Sequence, residues 1–418
     1  MIETTQEFTP PAAVLVAVDC GDYDVSASLD ELSELAKSAD IRPVSRIIQK
    51  RSSPDTATCI GSGRLAELKQ LCEADGAQIV LFDCELTPTQ LRNLEKDTRL
   101  RVIDRTMLIL DIFAARAHTS EGKLQVELAT LRYMLPRLTG RGVEMSRIGG
   151  GAGTRTRGAG ETQLETDRRH IRRRIDSLRR RLGEVEHRRE SLRTHRKKAG
   201  TPTVALVGYT NAGKSTLMNA LTDAGVLVED KLFATLDPTA RALKLPGGQS
   251  VILIDTVGLV RRLPHHLVDA FRSTLEEAAL ADVILNVCDA SSPEAAVHLE
   301  VTRDLLDSLG CGDTPVIPVL NKCDQVGGLD ELPVVGNAVR ISALNHQGLD
   351  ALLFAIEAAL PPMRRRVKLL LPFNKAGLAA LIRRDGVVEY EEYTPDGLVL
   401  VAMADIRIYH EIKDYVTE

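Results

Sequence analysis

The feature that most constrains this 418-residue chain is an apolar run that feeds directly into a glycine-bounded loop. Thr203-Val204-Ala205-Leu206-Val207 has strand length and buried-strand composition. It leads into Gly208-Tyr209-Thr210-Asn211-Ala212-Gly213-Lys214-Ser215, which matches G-x-x-x-x-G-K-[ST] at every fixed position, and a helical pattern follows at once in Thr216-Leu217-Met218-Asn219-Ala220-Leu221. A strand, a tight loop and a helix in that order wrap consecutive backbone N–H groups around an anion. They present it at the carboxyl edge of a parallel α/β sheet. Lys214 is placed to reach the β- and γ-phosphates of a nucleotide, and the Ser215 hydroxyl to ligate Mg²⁺.

Three further segments sit at the ends of apolar runs, in the order that a guanine-nucleotide site requires. Val251-Ile252-Leu253-Ile254 ends in Asp255-Thr256-Val257-Gly258, where a carboxylate can hold Mg²⁺ through water and Gly258 can offer its N–H to a γ-phosphate. Val316–Leu320 ends in Asn321-Lys322-Cys323-Asp324, an N-K-x-D sequence. Its Asp324 can accept from the N1–H and exocyclic amine of guanine, which adenine cannot reciprocate. Val339-Arg340-Ile341 leads to Ser342-Ala343-Leu344, a short loop suited to closing over the base. Between the first two motifs lies Phe233-Ala234-Thr235-Leu236-Asp237-Pro238-Thr239, a loop-like stretch in which a threonine can bind Mg²⁺ and sense the γ-phosphate. Together these predict a GTPase that takes GTP, GDP and Mg²⁺, with Lys214 and Gly258 among its catalytic groups. Leu259 follows Gly258 where many GTPases carry a glutamine that orients water, so slow intrinsic hydrolysis, accelerated by a partner, is expected.

The rest of the chain frames this unit. Length alone predicts several domains. Residues 1–118 alternate strand-like runs (Ala13–Val18, Ile79–Phe82) with helical patterns (Arg64–Ala74, Thr87–Asp97, Thr106–Arg116), the signature of an α/β domain. Gly61-Ser62-Gly63 reads there as a turn and helix cap. Residues 119–200 carry two leucine-rich stripes at 4-3 spacing, Leu124-Leu128-Leu131-Leu135-Leu138 and Ile171-Ile175-Leu178-Leu182-Val185, which predict an antiparallel helical hairpin. Its tip, Gly140–Gly160, holds eight glycines and four arginines. Residues 201–361 form the P-loop domain, and 362–418 a small α/β tail with strand Val367–Leu371 and helix Lys375–Arg384. Cys20, Cys59, Cys72, Cys84, Cys288, Cys311 and Cys323 lack C-x-x-C spacing, which reads as reduced and cytoplasmic. No stretch is apolar for long enough to span a membrane.

Charge is distributed unevenly. The chain totals −5, yet Asp167–Lys198 holds fourteen Lys or Arg against five Asp or Glu. A net +9 on one stalk, with arginines at its tip, suits a folded RNA better than a protein-docking coiled coil, whose flanks mix both signs. The alternative that remains is a signalling or regulatory GTPase with protein partners on the hairpin.

The chain as a whole resembles the HflX family of ribosome-associated GTPases. The likeness rests on Leu86-Thr87-Pro88-Thr89-Gln90-Leu91-Arg92-Asn93-Leu94, Arg101-Val102-Ile103-Asp104-Arg105-Thr106 and Glu121-Gly122-Lys123-Leu124-Gln125-Val126-Glu127-Leu128. Above all it rests on Gly158-Ala159-Gly160-Glu161-Thr162-Gln163-Leu164-Glu165-Thr166-Asp167-Arg168-Arg169. The segments Phe233–Thr239, Asp255–Leu259 and Leu263-Pro264-His265-His266-Leu267 are similar to the family's switch regions, and the resemblance selects Thr235 over Thr239 as the Mg²⁺-binding and catalytic threonine. It departs at Gly149–Arg157, longer than the Gly-Gly-Ile-Gly-Thr-Arg type of run in the family. The resemblance implies a Ras-like G domain beside the α/β domain and hairpin. It also implies binding to the large ribosomal subunit and its rRNA, and a role in splitting or rescuing stalled ribosomes under stress. A monomer is expected, in the cytoplasm or peripherally at a membrane. ATP hydrolysis occurs in some members, but a second Walker-type loop is absent from this sequence.

Overall fold

A computed structural model describes residues 9–138, 157–199, 201–222, 232–233, 239–262, 278–327, 336–360, 364–405, 409 and 411–417. The N-terminal domain is a parallel sheet of order β2-β1-β3-β4, built from β1 (Ala12–Asp19), β2 (Arg42–Lys50), β3 (Ile79–Phe82) and β4 (Arg101–Asp104). Helix α1 (Val25–Ser38) starts where Asp24 accepts from the N–H groups of Ser26 and Ala27. α2 (Ser62–Ala74) begins at Gly61, α3 (Pro88–Thr98) opens with a Thr87/Gln90 capping box, and α4 (Arg105–Arg116) is capped by Asp104. β1 and β3 are buried along almost their whole length because helices cover both faces of the sheet. Leu15, Leu29, Leu32, Leu81, Ile109 and Phe113 fill one side; Val14, Val80, Phe82, Leu68 and Leu94 fill the other.

Helix α5 (Ser120–Met134) packs on α4 and on α6 (Arg157–Ala199), a single helix of 43 residues. Leu124, Leu128, Ile175 and Leu178 form the buried seam between α5 and α6, flanked by Leu131, Leu135, Ile171 and Leu182, as the heptad spacing predicts. The tip loop falls largely within 139–156, outside the described residues. α5 is anchored to the N-terminal domain by Tyr133, whose hydroxyl donates to the buried Asp104 carboxylate, while the Arg137 guanidinium lies 3.4 Å from the Tyr133 ring centroid. Burial raises the Asp104 carboxyl above its usual range. The Tyr133 and Leu86 donors oppose that rise.

The third domain is a six-stranded sheet of order β10-β9-β8-β5-β7-β6, comprising β5 (Thr203–Gly208), β6 (Thr239–Lys244), β7 (Ser250–Asp255), β8 (Val283–Asp289), β9 (Val316–Asn321) and β10 (Val339–Arg340). All pairings are parallel except β6 with β7, at the edge. The helices α7 (Lys214–Thr222), α8 (Ala295–Ser308) and α9 (Leu349–Ala359) flank it. A small antiparallel sheet, β11 (Arg364–Leu371), β13 (Gly397–Asp405) and β12 (Val387–Thr394), closes the chain with α10 (Ala376–Asp385) on its apolar face. No helix among the described residues is long and apolar enough to cross a membrane.

The N-terminal and P-loop domains share one apolar core. Phe113, Ala129 and Tyr133 belong to the same buried cluster as Tyr209, Phe233, Val257, Leu259 and Val260. Leu178 is completely buried in the α5–α6 seam. Leu178→Ala is expected to cost about 2–4 kcal/mol locally, seen as faster amide hydrogen exchange along α5 and the middle of α6.

The guanine-nucleotide site

The phosphate loop lies where the central strand β5 delivers it, between β8 and β7. Asn211 and Gly213 have φ of +59° and +88°, which turns successive backbone N–H groups toward one concave side. At Gly213 a side chain would also strike the Asn321 amide, so the turn and the packing both demand glycine. The Lys214 ammonium is held under the loop by the carbonyls of Gly208 at 3.1 Å and Tyr209 at 2.9 Å. Burial pulls it down to about 8, against the attraction of Asp255. Among the described residues its hydrogen bonds go to neutral carbonyls, and a buried cation so held fits a polyphosphate that would restore its charge. Thr210 adds a buried hydroxyl with no hydrogen-bond partner among the described residues.

Ser215 Oγ donates to Asp255 Oδ2 at 2.6 Å. A hydroxyl and a carboxylate oxygen so close together form the hard, oxygen-only donor pair that Mg²⁺ takes together with nucleotide phosphates. Thr256 is not beside this pair. Its hydroxyl donates to the Leu206 carbonyl at 2.7 Å and ties β7 to β5. Val257 is core. Gly258 lies against the loop so closely that a Cβ would come 2.7 Å from Thr210 Cγ2 and 3.1 Å from Lys214 Nζ. Gly258 and Lys214 therefore border the same space. Of the segment before β6, Ala234, Thr235, Leu236 and Asp237 lie outside the described residues. Phe233 is described, and its ring packs edge-to-face on Phe113 of α4, with centroids 4.6 Å apart. Its side chain is thus committed to the N-terminal domain.

The base end is organised by Asn321. Its Nδ2 donates to the Ala212 carbonyl at 2.8 Å, and its Oδ1 accepts from the Ala343 N–H at 3.0 Å. One buried side chain thereby locks the phosphate loop to the Ser342-Ala343-Leu344 loop. Lys322, with φ of +61°, pairs with Asp289 at 2.7 Å. Cys323 donates through Sγ to the Leu320 carbonyl at 3.2 Å, which suits a packing role, and burial raises its thiol. Asp324 is exposed at the rim, Ser342 is buried and accepts from the Asn345 N–H, and Leu344 is exposed.

Several contacts at this site were not anticipated from sequence. Tyr209 stacks on His298 of α8, with centroids 3.9 Å apart, and its hydroxyl donates to Glu31 of α1. Arg261 pairs with Glu31 of α1 and with Glu294 at the N-cap of α8, and Arg262 with Asp83 just after β3. The paired arginines after Gly258-Leu259 were visible in the sequence. Their partners in the N-terminal domain, Glu31 and Asp83, lie 230 and 179 positions away and carried no local signal.

This arrangement of phosphate loop, acidic strand end and base-reading loop on a parallel sheet defines a P-loop guanine-nucleotide hydrolase. Family models agree along the chain: "GTP-binding GTPase N-terminal" matches residues 26–114, "GTP-binding GTPase Middle Region" 116–196 and "50S ribosome-binding GTPase" 203–322. The GTPase HflX of Lacrimispora saccharolytica is 48% identical over 96% of this chain and 95% of its own length. That of Escherichia coli K12 is 41% identical over 93% and 92%. The chain belongs to the GTPase HflX family. A solved structure described as SsGBP in complex with GDP is 26% identical, covering 84% of this chain and 98% of its own, with a TM-score of 0.45.

Asn321→Ala removes both bonds that join the loops and leaves the Ala343 N–H unsatisfied. A loss of about 1–3 kcal/mol is expected, roughly 10–100-fold in GDP affinity by fluorescence titration. His298 offers a pH test. Burial first, and the Arg261 guanidinium second, hold its imidazole below the ordinary range. Below about pH 6.5 the unfolded chain therefore takes up a proton that the folded one resists. The stacked ring's contribution is full above that pH and declines as pH falls. The stability advantage of the wild type over His298→Phe, measured by thermal unfolding, is expected to shrink from pH 7.5 to 5.5.

Proposed function

We propose that this GTPase is a switch that acts on the large ribosomal subunit, gripping rRNA with its helical stalk and serving to split or rescue stalled ribosomes. The observation that carries the reading is the outward face of α6. Arg172, Arg173, Arg179, Arg180, Arg181 and Arg188 are exposed along the helix and none belongs to the leucine seam; Arg173 and Arg180 stand opposite it, and Arg172 and Arg179 also pair with Glu165 and Asp176 of the same helix at 3.9 and 3.7 Å. Guanidiniums so arranged suit a phosphate backbone. Arg174 is different: it forks onto Glu127 of α5 at 2.6 and 2.8 Å and braces the hairpin. The kinship with "50S ribosome-binding GTPase" and with GTPase HflX proteins supports the same partner.

In this reading the loop N–H groups and Lys214 hold the β- and γ-phosphates, Asp324 reads guanine, and Gly258 offers its N–H to the γ-phosphate. Ser215 and Thr235 hold Mg²⁺, which when bound neutralises charge on the β- and γ-phosphate oxygens. Leu259 plays no part in positioning water. Its side chain is buried in the apolar core shared with the N-terminal domain. Intrinsic turnover is therefore slow, and the ribosome supplies or orders what the chain lacks. The protein works as a cytoplasmic monomer.

The deciding experiment is GTP turnover by the purified protein, alone and with large ribosomal subunits, at two salt concentrations. Strong stimulation that fades with salt is expected. Arg172→Ala, Arg173→Ala and Arg181→Ala together should flatten the log–log salt dependence of subunit binding by about 0.7–0.9 per lost phosphate contact. Arg174→Ala should chiefly loosen the hairpin. Slow turnover that the subunits leave unchanged would refute the ribosomal reading and favour a signalling GTPase with protein partners.

A further inference from the structure

Glu31 stands on the face of α1 that meets the P-loop domain, and three elements converge on its carboxylate. The Tyr209 hydroxyl donates to Oε1 and Oε2, each at 3.1 Å. The backbone N–H of Arg261 donates to Oε1 at 3.1 Å. Arg105 Nη2 pairs with it at 3.1 Å and also donates to the Arg261 carbonyl at 3.2 Å. One nearly buried side chain of the N-terminal domain therefore touches the second residue of the phosphate loop and the third residue beyond Gly258.

The segment between those contacts has little freedom left. The Leu259 N–H donates to the Gly208 carbonyl at 3.1 Å, and its carbonyl accepts from the Thr210 N–H at 2.8 Å. Arg262 is seated in the N-terminal domain. Its guanidinium lies 3.9 Å from the Tyr23 ring centroid and pairs with Asp83 at 2.6 Å. On the far side the Tyr209 ring is fixed by its stack on His298. The segment so held is the one that brings Gly258 beside Lys214.

We infer that Glu31 is a positioning residue of the GTPase site that presets Gly258 for the third phosphate and so favours the triphosphate over the diphosphate. The inference rests on the GTPase assignment and is independent of the ribosomal partner. A diphosphate is held by the loop itself, whereas only a γ-phosphate gives the Gly258 N–H something to bond. A segment ordered beforehand spends no conformational entropy at that moment. The benefit of Glu31 is therefore confined to the nucleotide that uses the segment.

The test is the equilibrium affinity of the full-length protein for GDP and for a non-hydrolysable GTP analogue. Glu31→Ala is expected to weaken the analogue about tenfold while moving GDP by less than about twofold. Glu31→Gln, which can still accept from Tyr209 and Arg261, should recover most of the loss. Tyr209→Phe keeps the stack on His298 and removes one donor. It should weaken the analogue by about threefold and add little to Glu31→Ala in the double variant. Equal losses for both nucleotides, or a lower Tm with an unchanged affinity ratio, would overturn the proposal. Should Glu31→Ala fail to fold, Tyr209→Phe decides alone: an unchanged ratio sinks it.

Discussion

The structure turns on a small set of buried charges at the boundary of its two α/β domains. Arg105 has 3% of its side chain exposed and pairs with Asp83, at 1%, and Glu31, at 10%. Removing such groups from water is expensive, and attraction alone seldom returns the cost with much surplus. What the cluster secures is alignment. Apolar contacts such as Phe113 on Phe233 tolerate sliding by an ångström or so, but a guanidinium forked between two carboxylates does not. Burial supplies the adhesion between the domains, and the ionic cluster ties the segment after Gly258 to α1 and to the residue following β3.

That division of labour explains an oddity of the switch segment. Leucine at 259 looks like the loss of a catalytic side chain, yet the residue has a positive role. Val257, Leu259 and Val260 are apolar because they belong to a core that spans the domain boundary. Arg261 and Arg262, directly after them, are charged because they reach the ionic cluster. The segment reads as a strip with adhesive first and alignment pins second. The strip is thereby joined directly to Glu31 of α1 and to Asp83 just after β3.

The phosphate loop and the strand ends beside it were legible in the sequence because those parts are local. A loop between a strand and a helix must carry its own glycines, and Asn321 to Asp324 occupy one strand end. The buried strands β1, β3, β5, β7 and β9 were legible for a similar reason, as uninterrupted apolar runs. β2 was not, since Arg42–Lys50 is an edge strand with polar residues on both faces. Nor was α1, whose buried serines 28, 33 and 38 dilute its apolar stripe. Without α1 in view, Glu31 had no place in any pattern. Arg174 was misleading in the other direction: it stands in a run of three arginines with nothing local to mark it as a brace rather than an RNA contact. Its partner is 47 residues away.

Helix α6 runs for 43 residues and ends at Ala199, with β5 beginning at Thr203 and the phosphate loop at its far end. At 1.5 Å per residue it is about 65 Å long. Among the described residues its apolar seam with α5 runs through its middle turns, at Ile171, Ile175, Leu178 and Leu182. Mechanically this is a beam pivoted near its middle at the leucine seam, with two arms of similar length, one of them leading to the nucleotide sheet. A tilt of about 10° about that seam would sweep an end some 30 Å away through roughly 5 Å, by the same helix geometry. With arms of similar length, a displacement at the nucleotide end is carried to the opposite end of the stalk at about the same size and in the opposite direction.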